Sequence, residues 1–342
     1  MEGNWKTILA DILGEHNHRH GRRDKAVSAL TIQQRGDRLF DCFEQLRELG
    51  FRLDDPRHIA ERHVQALVDH WLALKHSPAT IQTKLSHLRV FAGWIGKPGL
   101  VKPAVEYVTD PAEVKRVYAA RTDASWTTKS IDPEAVIAHL RAFDPYVANQ
   151  QLAQLHFGLR VKEAVMLRPW RADAGAALLV DDGTKGGRPR VVPLHSQEQC
   201  DALNYLKTQV RTRNGSLADP ALTLKQAMTR YYVVMRAAGI TRKGLGITSH
   251  GLRKEFANRT YFELTGVRSP VQGGPPIDRV VDREARLRLV EHLGHARESV
   301  GTAYLGAVLR SGCVQGSGAE SGAAELAPSA PSAQQAQSKA EV

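Results

Sequence analysis

The amino-acid order points to a mainly α N-terminal domain followed by a mixed α/β domain, mostly helical, with one small β-hairpin. Three observations lead there. Before residue 100, apolar residues recur at helical spacing, two of the runs opening on Asp-Pro or Ser-Pro, a cap followed by proline in the first turn. The clear strand signal is a pair of short apolar runs around a glycine-rich turn, "ALLVDDGTKGGRPRVVPL". At 342 residues, the chain has room for about two domains.

Residues 1–24 are polar and end in "HNHRHGRR", which reads as a flexible basic arm. His16, His18 and His20 alternate as metal ligands can, but a mobile basic arm touching phosphates accounts for them better, and a tag-like disordered end better still. A first helix is expected from about Thr31 to Leu49, with Ile32, Leu39, Phe43 and Leu46 on one side and Gly50 as its stop. A second opens at Asp55-Pro56 and carries Ile59, Val64, Leu67 and Trp71. A third opens at Ser77-Pro78 with Ile81, Leu85, Leu88 and Ile95 on its stripe. Lys84, His87 and Arg89 are placed off that stripe, facing outward, either as a solvated face or as contacts to an anionic partner. Residues 25–120 thus form the first domain. The stretch from about 100 to 130 is a linker with a short helix near Pro111 to Ala120.

The second domain, 121–310, gains its first helix at Asp132-Pro133. It then reads helix, hairpin, and four or five further helices. Residues 311–342 are rich in Ser, Ala, Gly and Gln with few apolar anchors, the composition of a disordered tail.

Lys and Arg together number 47 against 36 Asp and Glu, a formal net charge of +11. Such an excess attracts polyanions, nucleic acid above all. Apolar residues make up 42%, enough for true cores, yet no run approaches the roughly 18 residues of a membrane span. The start lacks the pattern of a signal peptide. Cys42, Cys200 and Cys313 are odd in number and far apart, so no disulfide framework or zinc knuckle is implied. A cytoplasmic protein is expected.

Four short islands carry side chains suited to chemistry. In "HFGLRVKEAVMLRPW", Arg160 stands at a helix start with Glu163 one turn on. The positive end of a helix disfavours arginine unless an anion binds there too. In "DDGTKGGRPR", Lys185 tips a tight turn. The turn lacks the spacing of a nucleotide-binding P-loop. In "TSHGLRKEF", His250 and Arg253 are three apart and share a helix face. In "VEHLGHARESVGTAYLG", Tyr304 follows His295 by nine residues.

Taken in order, these islands resemble the tyrosine recombinase family, also called phage integrases. The family's Gly-Leu-Arg box falls on Arg160, its hairpin lysine on Lys185, and its His-x-x-Arg box on His250 and Arg253. Its Leu-Gly-His box falls on Leu293-Gly294-His295 and its tyrosine on Tyr304. "SPATIQTKLSHLRVFAGWI" resembles the helical, SAM-like core-binding domain that precedes the catalytic domain. The likeness covers roughly residues 25–308. Lys254 stands where many members carry a second histidine. A long stretch, "TGVRSPVQGGPPIDRVVDREARL", separates the His-x-x-Arg box from His295, and Leu-Gly follows Tyr304. These departures mark an outlying branch.

The resemblance implies a site-specific recombinase or integrase, serving a mobile element, that cleaves and rejoins double-stranded DNA through a 3′-phosphotyrosine. No metal, ATP or other cofactor is expected. A free phenol has a pKa of about 10, so roughly one in a thousand is ionised at neutral pH, a deficit of about 4 kcal/mol. By the family's pattern, His250 would take the phenol proton. Arg160 and Arg253 would bind the non-bridging oxygens, and His295 would donate another hydrogen bond to them. Lys185 would protonate the departing 5′ oxygen, and Glu163 would steady a basic neighbour. The implied partners are duplex DNA and further copies of the chain, a tetramer on paired sites, in the nucleoid. Residues 305–314, through the apolar patch of Leu305, Val308 and Leu309, would dock on a neighbouring subunit or else fold back on their own domain. Two alternatives use the same residues: a DNA-binding protein of this fold without activity, which would form no covalent adduct, and a type IB topoisomerase-like nicking enzyme, which would relax supercoils without pairing sites.

Overall fold

The computed structural model describes residues 4–19, 26–295 and 297–307, and the chain divides after Tyr118 into two compact units. In the first unit, α1 spans Trp5–His16, within the segment expected to be a flexible arm. Trp5 and Leu9 are buried against the unit's core, with the Trp5 ring 6.1 Å from Phe40 and 6.2 Å from Phe43. The basic residues that follow mask this apolar pair in the sequence. Residues 20–25, the most basic part, lie outside the described residues.

Helix α2 (Ala29–Glu48) begins at Ser28, whose Oγ accepts from Thr31 N at 3.2 Å. Asp55-Pro56 opens a single 3-10 turn, Pro56–His58, and not the expected helix. The chain is extended at Ala60 before α3 (Glu61–Ala73), where His63 Nδ1 accepts from Ala60 N at 2.9 Å and closes the first turn. Helix α4 (Pro78–Trp94) starts at Ser77 as expected. Leu39, Phe43, Leu67, Trp71, Ile81, Leu85 and Leu88 fill the core between these helices.

Lys84 does not face outward. It follows Ile81 by three residues and so shares the apolar stripe. Its ammonium is buried, 2.9 Å from Asp41 Oδ2 and 4.9 Å from the centre of the Trp71 ring. Nor does Arg89 present a free cation, for its guanidinium donates to the Val101 and Lys102 carbonyls at 3.0 and 2.7 Å. His87 is half-buried, and burial, then Arg38 and Arg35, push its pKa down to about 4. The segment expected as a linker packs on this unit through Tyr107 and Val114. In place of a helix near Pro111 it forms the 3-10 turn Pro111–Val114.

The second unit takes in Trp126, whose buried indole donates to Thr248 O at 2.8 Å. Helix α5 (Pro133–Arg141) is capped by Asp132, and α6 (Pro145–Phe157) by Asp144. Helix α6 is central, buried from Val147 to Phe157 and packed against α5. Short α7 (Val161–Met166) and α8 (Pro169–Ala172) lead into β1 (Ala177–Val180), which pairs antiparallel with β2 (Arg190–Pro193). Leu178, Val180 and Val192 point inward while Leu179 and Val191 face solvent, the alternation of a hairpin lying on a core. Five helices follow: α9 (Gln197–Thr208), α10 (Leu224–Ala237), α11 (Ser249–Thr265), α12 (Arg279–His292) and α13 (Thr302–Leu305). Helix α11 lies against both α6 and α12. The mostly helical architecture with one two-stranded sheet matches the expected fold class.

Candidate active site

Four backbone ends of the second unit converge. The first is the junction of α6 and α7. Helix α6 stops at Gly158, held at φ 61°, where a Cβ would lie 2.4 Å from the Phe256 ring. Only glycine fits there. Arg160 is then the residue at the mouth of α7, and Glu163 folds back on it. Glu163 Oε2 accepts from Arg160 N and Oε1 from Arg160 Nη1, both at 2.7 Å. The carboxylate thus offsets the charge that the helix dipole disfavours.

Strand β2 supplies Arg190, which the sequence reading passed over. Its Nη1 and Nη2 hold the two oxygens of Glu163 at 2.7 and 2.8 Å, and its Nε donates to His292 O at 2.8 Å. The signal was present: Arg190 and Val192 share a strand face, and Val192 is apolar, so the arginine had to point inward and needed a buried partner. Glu163 is fully buried, which opposes its ionisation. Hydrogen bonds and charge from Arg190, then from Arg160, overcome this and hold its pKa at about 2.

Helix α11 supplies His250 and Arg253. Arg253 is 1% exposed, and its guanidinium donates to the Gly158 and Leu293 carbonyls while its Nε lies 3.1 Å from Tyr304 Oη. Burial lowers its pKa to about 10, which leaves it cationic at neutral pH.

The end of α12 supplies His295. His295 Nε2 lies 3.4 Å from Arg160 Nη2, 3.3 Å from Arg253 Nη2 and 3.1 Å from Tyr304 Oη. Arginines only donate, so Nε2 must be the accepting nitrogen and the ring proton sits on Nδ1. Desolvation, then Arg253, Arg160, Arg190 and Lys185, lower the His295 pKa to about 4. His250 is likewise pushed down to about 4, by desolvation, then by Arg253, Lys254 and Arg160. Its ring keeps an exposed side, so water moderates the desolvation. Both imidazoles are therefore neutral at pH 7.

Tyr304, on α13, is buried at 5% exposure, with its ring 5.8 Å from those of both histidines. The structure thus brings together Arg160, Glu163, Arg253, His295 and Tyr304, with His250 at the edge. Lys185 is exposed on the turn Lys185–Gly187 and stands apart from this cluster. Three guanidinium groups around one carboxylate leave two positive charges unmatched. Arg160, His250 and Arg253 line an open cleft together with Lys162 and Tyr232. Among the described residues, no group of three or more His, Cys, Asp or Glu could hold a metal ion, and no helix is long and apolar enough to cross a membrane.

A family model described as "Integrase" matches residues 119–259, and one described as "Phage integrase, N-terminal" matches residues 18–101. No curated protein matches the chain in sequence. Among solved structures, lambda integrase, crystallised as a dimer bound to a COC′ core site, superposes with a TM-score of 0.54 at 16% identity, over 91% of this chain and 98% of that one. The Tn1549 transposon integrase, in complex with circular intermediate DNA, gives 0.55 at 12% identity, over 88% and 96%. At such identities the likeness establishes the fold. With the family models matching the larger part of each unit, this chain belongs to the tyrosine recombinase, or phage integrase, family.

Proposed function

We propose that the protein is a site-specific DNA recombinase or integrase that cuts and rejoins duplex DNA through a 3′-phosphotyrosine, with Tyr304 as the nucleophile. The observation that carries this reading is the phenol oxygen, hydrogen-bonded to Arg253 and His295 beside a cleft with two unmatched positive charges. A buried tyrosine between an arginine donor and a neutral imidazole acceptor has its proton's destination in place.

In this reading the phenol oxygen attacks the phosphorus of one phosphodiester. The bond to O5′ breaks, a 3′-phosphotyrosyl ester forms, and a 5′ hydroxyl departs. The free hydroxyl of a partner strand later reverses the step, so ester bonds are conserved and no ATP is consumed. Arg160 and Arg253 neutralise the charge that grows on the non-bridging oxygens. The phenol proton passes to an imidazole. The family's pattern implies His250 for that task, but His295 is the ring in hydrogen-bond contact with the phenol. We assign His295 Nε2 as the acceptor of that proton, on its contact with the phenol in the free protein. Lys185, on its turn, protonates O5′.

The DNA partner is supported by the basic composition and by the DNA-bound state of the two relatives. Assembly on paired sites as a tetramer belongs to this proposal. Docking between subunits through Leu305 does not, because Leu305 is fully buried in its own unit's core. Val308 and Leu309 lie outside the described residues.

The test is covalent trapping on a pool of random-sequence duplexes, each with a 5′-bridging phosphorothiolate at one position. The 5′ thiol released on cleavage does not readily reseal, so an SDS-resistant protein–DNA adduct accumulates. Recovery of that adduct supports the reading. Full DNA binding with no adduct would make the chain a binding protein of this fold.

A further inference from the structure

The Glu163–Arg190 pair lies beneath the candidate site, and the chemistry above assigns Arg190 no part. We infer that Arg190 is a positioning residue that occupies the second face of Glu163 and so keeps Arg160 from closing on that carboxylate. The inference rests on the recombinase reading only for what Arg160 is being kept free to do.

The geometry limits what each group can do. Glu163 Oε1 accepts from Arg160 Nη1 and Arg190 Nη1, and Oε2 accepts from Arg160 N and Arg190 Nη2. Both oxygens therefore carry two donors, and Arg160 is left with a single, end-on side-chain bond. Its other nitrogen, Nη2, turns to Leu293 O at 3.3 Å and His295 Nε2 at 3.4 Å. An arginine beside an unoccupied carboxylate prefers the two-point fork. Without Arg190, Oε2 loses its side-chain donor and that fork becomes available to Arg160. Closing it would swing Nη2 off His295 and out of the cleft.

Arg190 also joins two elements. Its Nε holds His292 O at the end of α12, directly before the Leu293-Gly294-His295 turn. Gly294 sits at φ 65°, and a Cβ there would lie 2.8 Å from Arg190 Cδ, so the turn is shaped around this side chain. The same strand continues from the turn that carries Lys185. One side chain thus ties the hairpin, the carboxylate and the His295 turn together.

The tests use the full-length chain. The Glu163 carboxyl carbon is followed by NMR in 13C-Glu-labelled protein without DNA, assigned by its disappearance in Glu163→Gln. In the wild type it stays ionised to the acid limit of folding. In Arg190→Met its titration should move up toward ordinary carboxylate pH. On the phosphorothiolate duplex pool, Arg190→Met should slow adduct formation about tenfold or more at pH 7.5. The deficit should shrink as pH falls, because protonating Glu163 dissolves the fork and releases Arg160. Arg190→Lys, which keeps the charge with one point of contact, should fall between Arg190→Met and wild type. The double variant Arg190→Met/Glu163→Gln should outperform both single variants, since it leaves neither buried charge alone. A general loosening of the fold would instead make the two losses multiply.

A multiplicative double variant, or a folded Arg190→Met or Arg190→Lys whose carboxyl titration and adduct rate match wild type, overturns the inference. If wild-type protein itself forms no adduct, the recombinase reading falls. The carboxyl titration then still decides whether Arg190 holds Glu163.

Discussion

Tyr304 Oη and His295 Nε2 stand 3.1 Å apart, across the end of α12 and the start of α13. Arg253 Nε approaches the same oxygen at 3.1 Å. The phenol oxygen therefore accepts from the guanidinium and offers its proton to the imidazole. This arrangement makes the nucleophile assignment easy to test.

Tyr304→Phe should abolish the SDS-resistant adduct and leave duplex binding nearly unchanged. The substitution removes one hydroxyl, and Arg253 keeps its bonds to the Gly158 and Leu293 carbonyls. The folding cost should be about 2 kcal/mol or more, because two hydrogen bonds go and the buried Arg253 Nε loses this acceptor. Adduct gels and filter binding on the same preparation check it. An adduct from the Phe variant would mean that another side chain attacks.

If His295 takes the phenol proton, His295→Gln should lower the adduct rate by about a hundredfold or more. His250→Gln should cost less. Both histidines have pKa values lowered to about 4 in the free protein, so each is neutral and able to accept a proton well below pH 6. The second-order adduct rate should hold flat from neutral pH to about pH 5 and fall as pH drops through the folded pKa. A larger loss from His250→Gln would return the task to His250, and an acid limb at the ordinary histidine value would fit neither ring as it stands in the free protein.

Much of this site was legible because its groups sit at chain punctuation. Gly158 before Arg160, the three-residue step from His250 to Arg253, and the nine-residue step from His295 to Tyr304 are local patterns that survive without knowledge of the fold. Arg190 was missed because its importance comes from Glu163, twenty-seven residues away. Only the strand's inward face hinted at it. Lys84 was misjudged for the opposite reason. Its charge suggested solvent, yet its place one turn after Ile81 put it on the buried stripe, where Asp41 and Trp71 receive it. Helix α1 was hidden by the basic residues that follow it, although Trp5 and Leu9 are an apolar i, i+4 pair.

Glu163 also ties stability to acid. Its folded pKa, about 2, lies below the ordinary value of 4.5. A depressed carboxyl pKa stabilises the fold above the unfolded value and loses that contribution as pH falls toward the folded one. Between pH 4.5 and 2 the loss from this group is about 3 kcal/mol, from about 1.4 kcal/mol per pH unit. Glu163→Gln should be less stable than wild type at pH 7, with the gap narrowing over that window. Urea melts at stepped pH measure it. A gap independent of pH would show that the carboxylate is not held ionised by its arginines.

Adduct formation should proceed in excess EDTA without nucleotide. The positive charge at the site is supplied by Arg160 and Arg253, and the ester exchanged keeps its energy. A strict need for added magnesium in the cleavage step would contradict this.

The last prediction concerns the leaving group. An alkoxide departing at neutral pH needs a proton, and the arginines around Tyr304 hold theirs too tightly to give one. Lys185 is exposed on a turn whose Gly186 and Gly187 both lie at positive φ, so the backbone there can hinge toward bound DNA. Lys185→Ala should therefore slow cleavage of an ordinary phosphodiester by about a hundredfold or more. A 5′-bridging phosphorothiolate should restore most of the rate, because a thiolate leaves without protonation. Parallel time courses on the two substrates decide the matter. Equal slowing on both would remove Lys185 from the proton-donating role and leave it a phosphate contact.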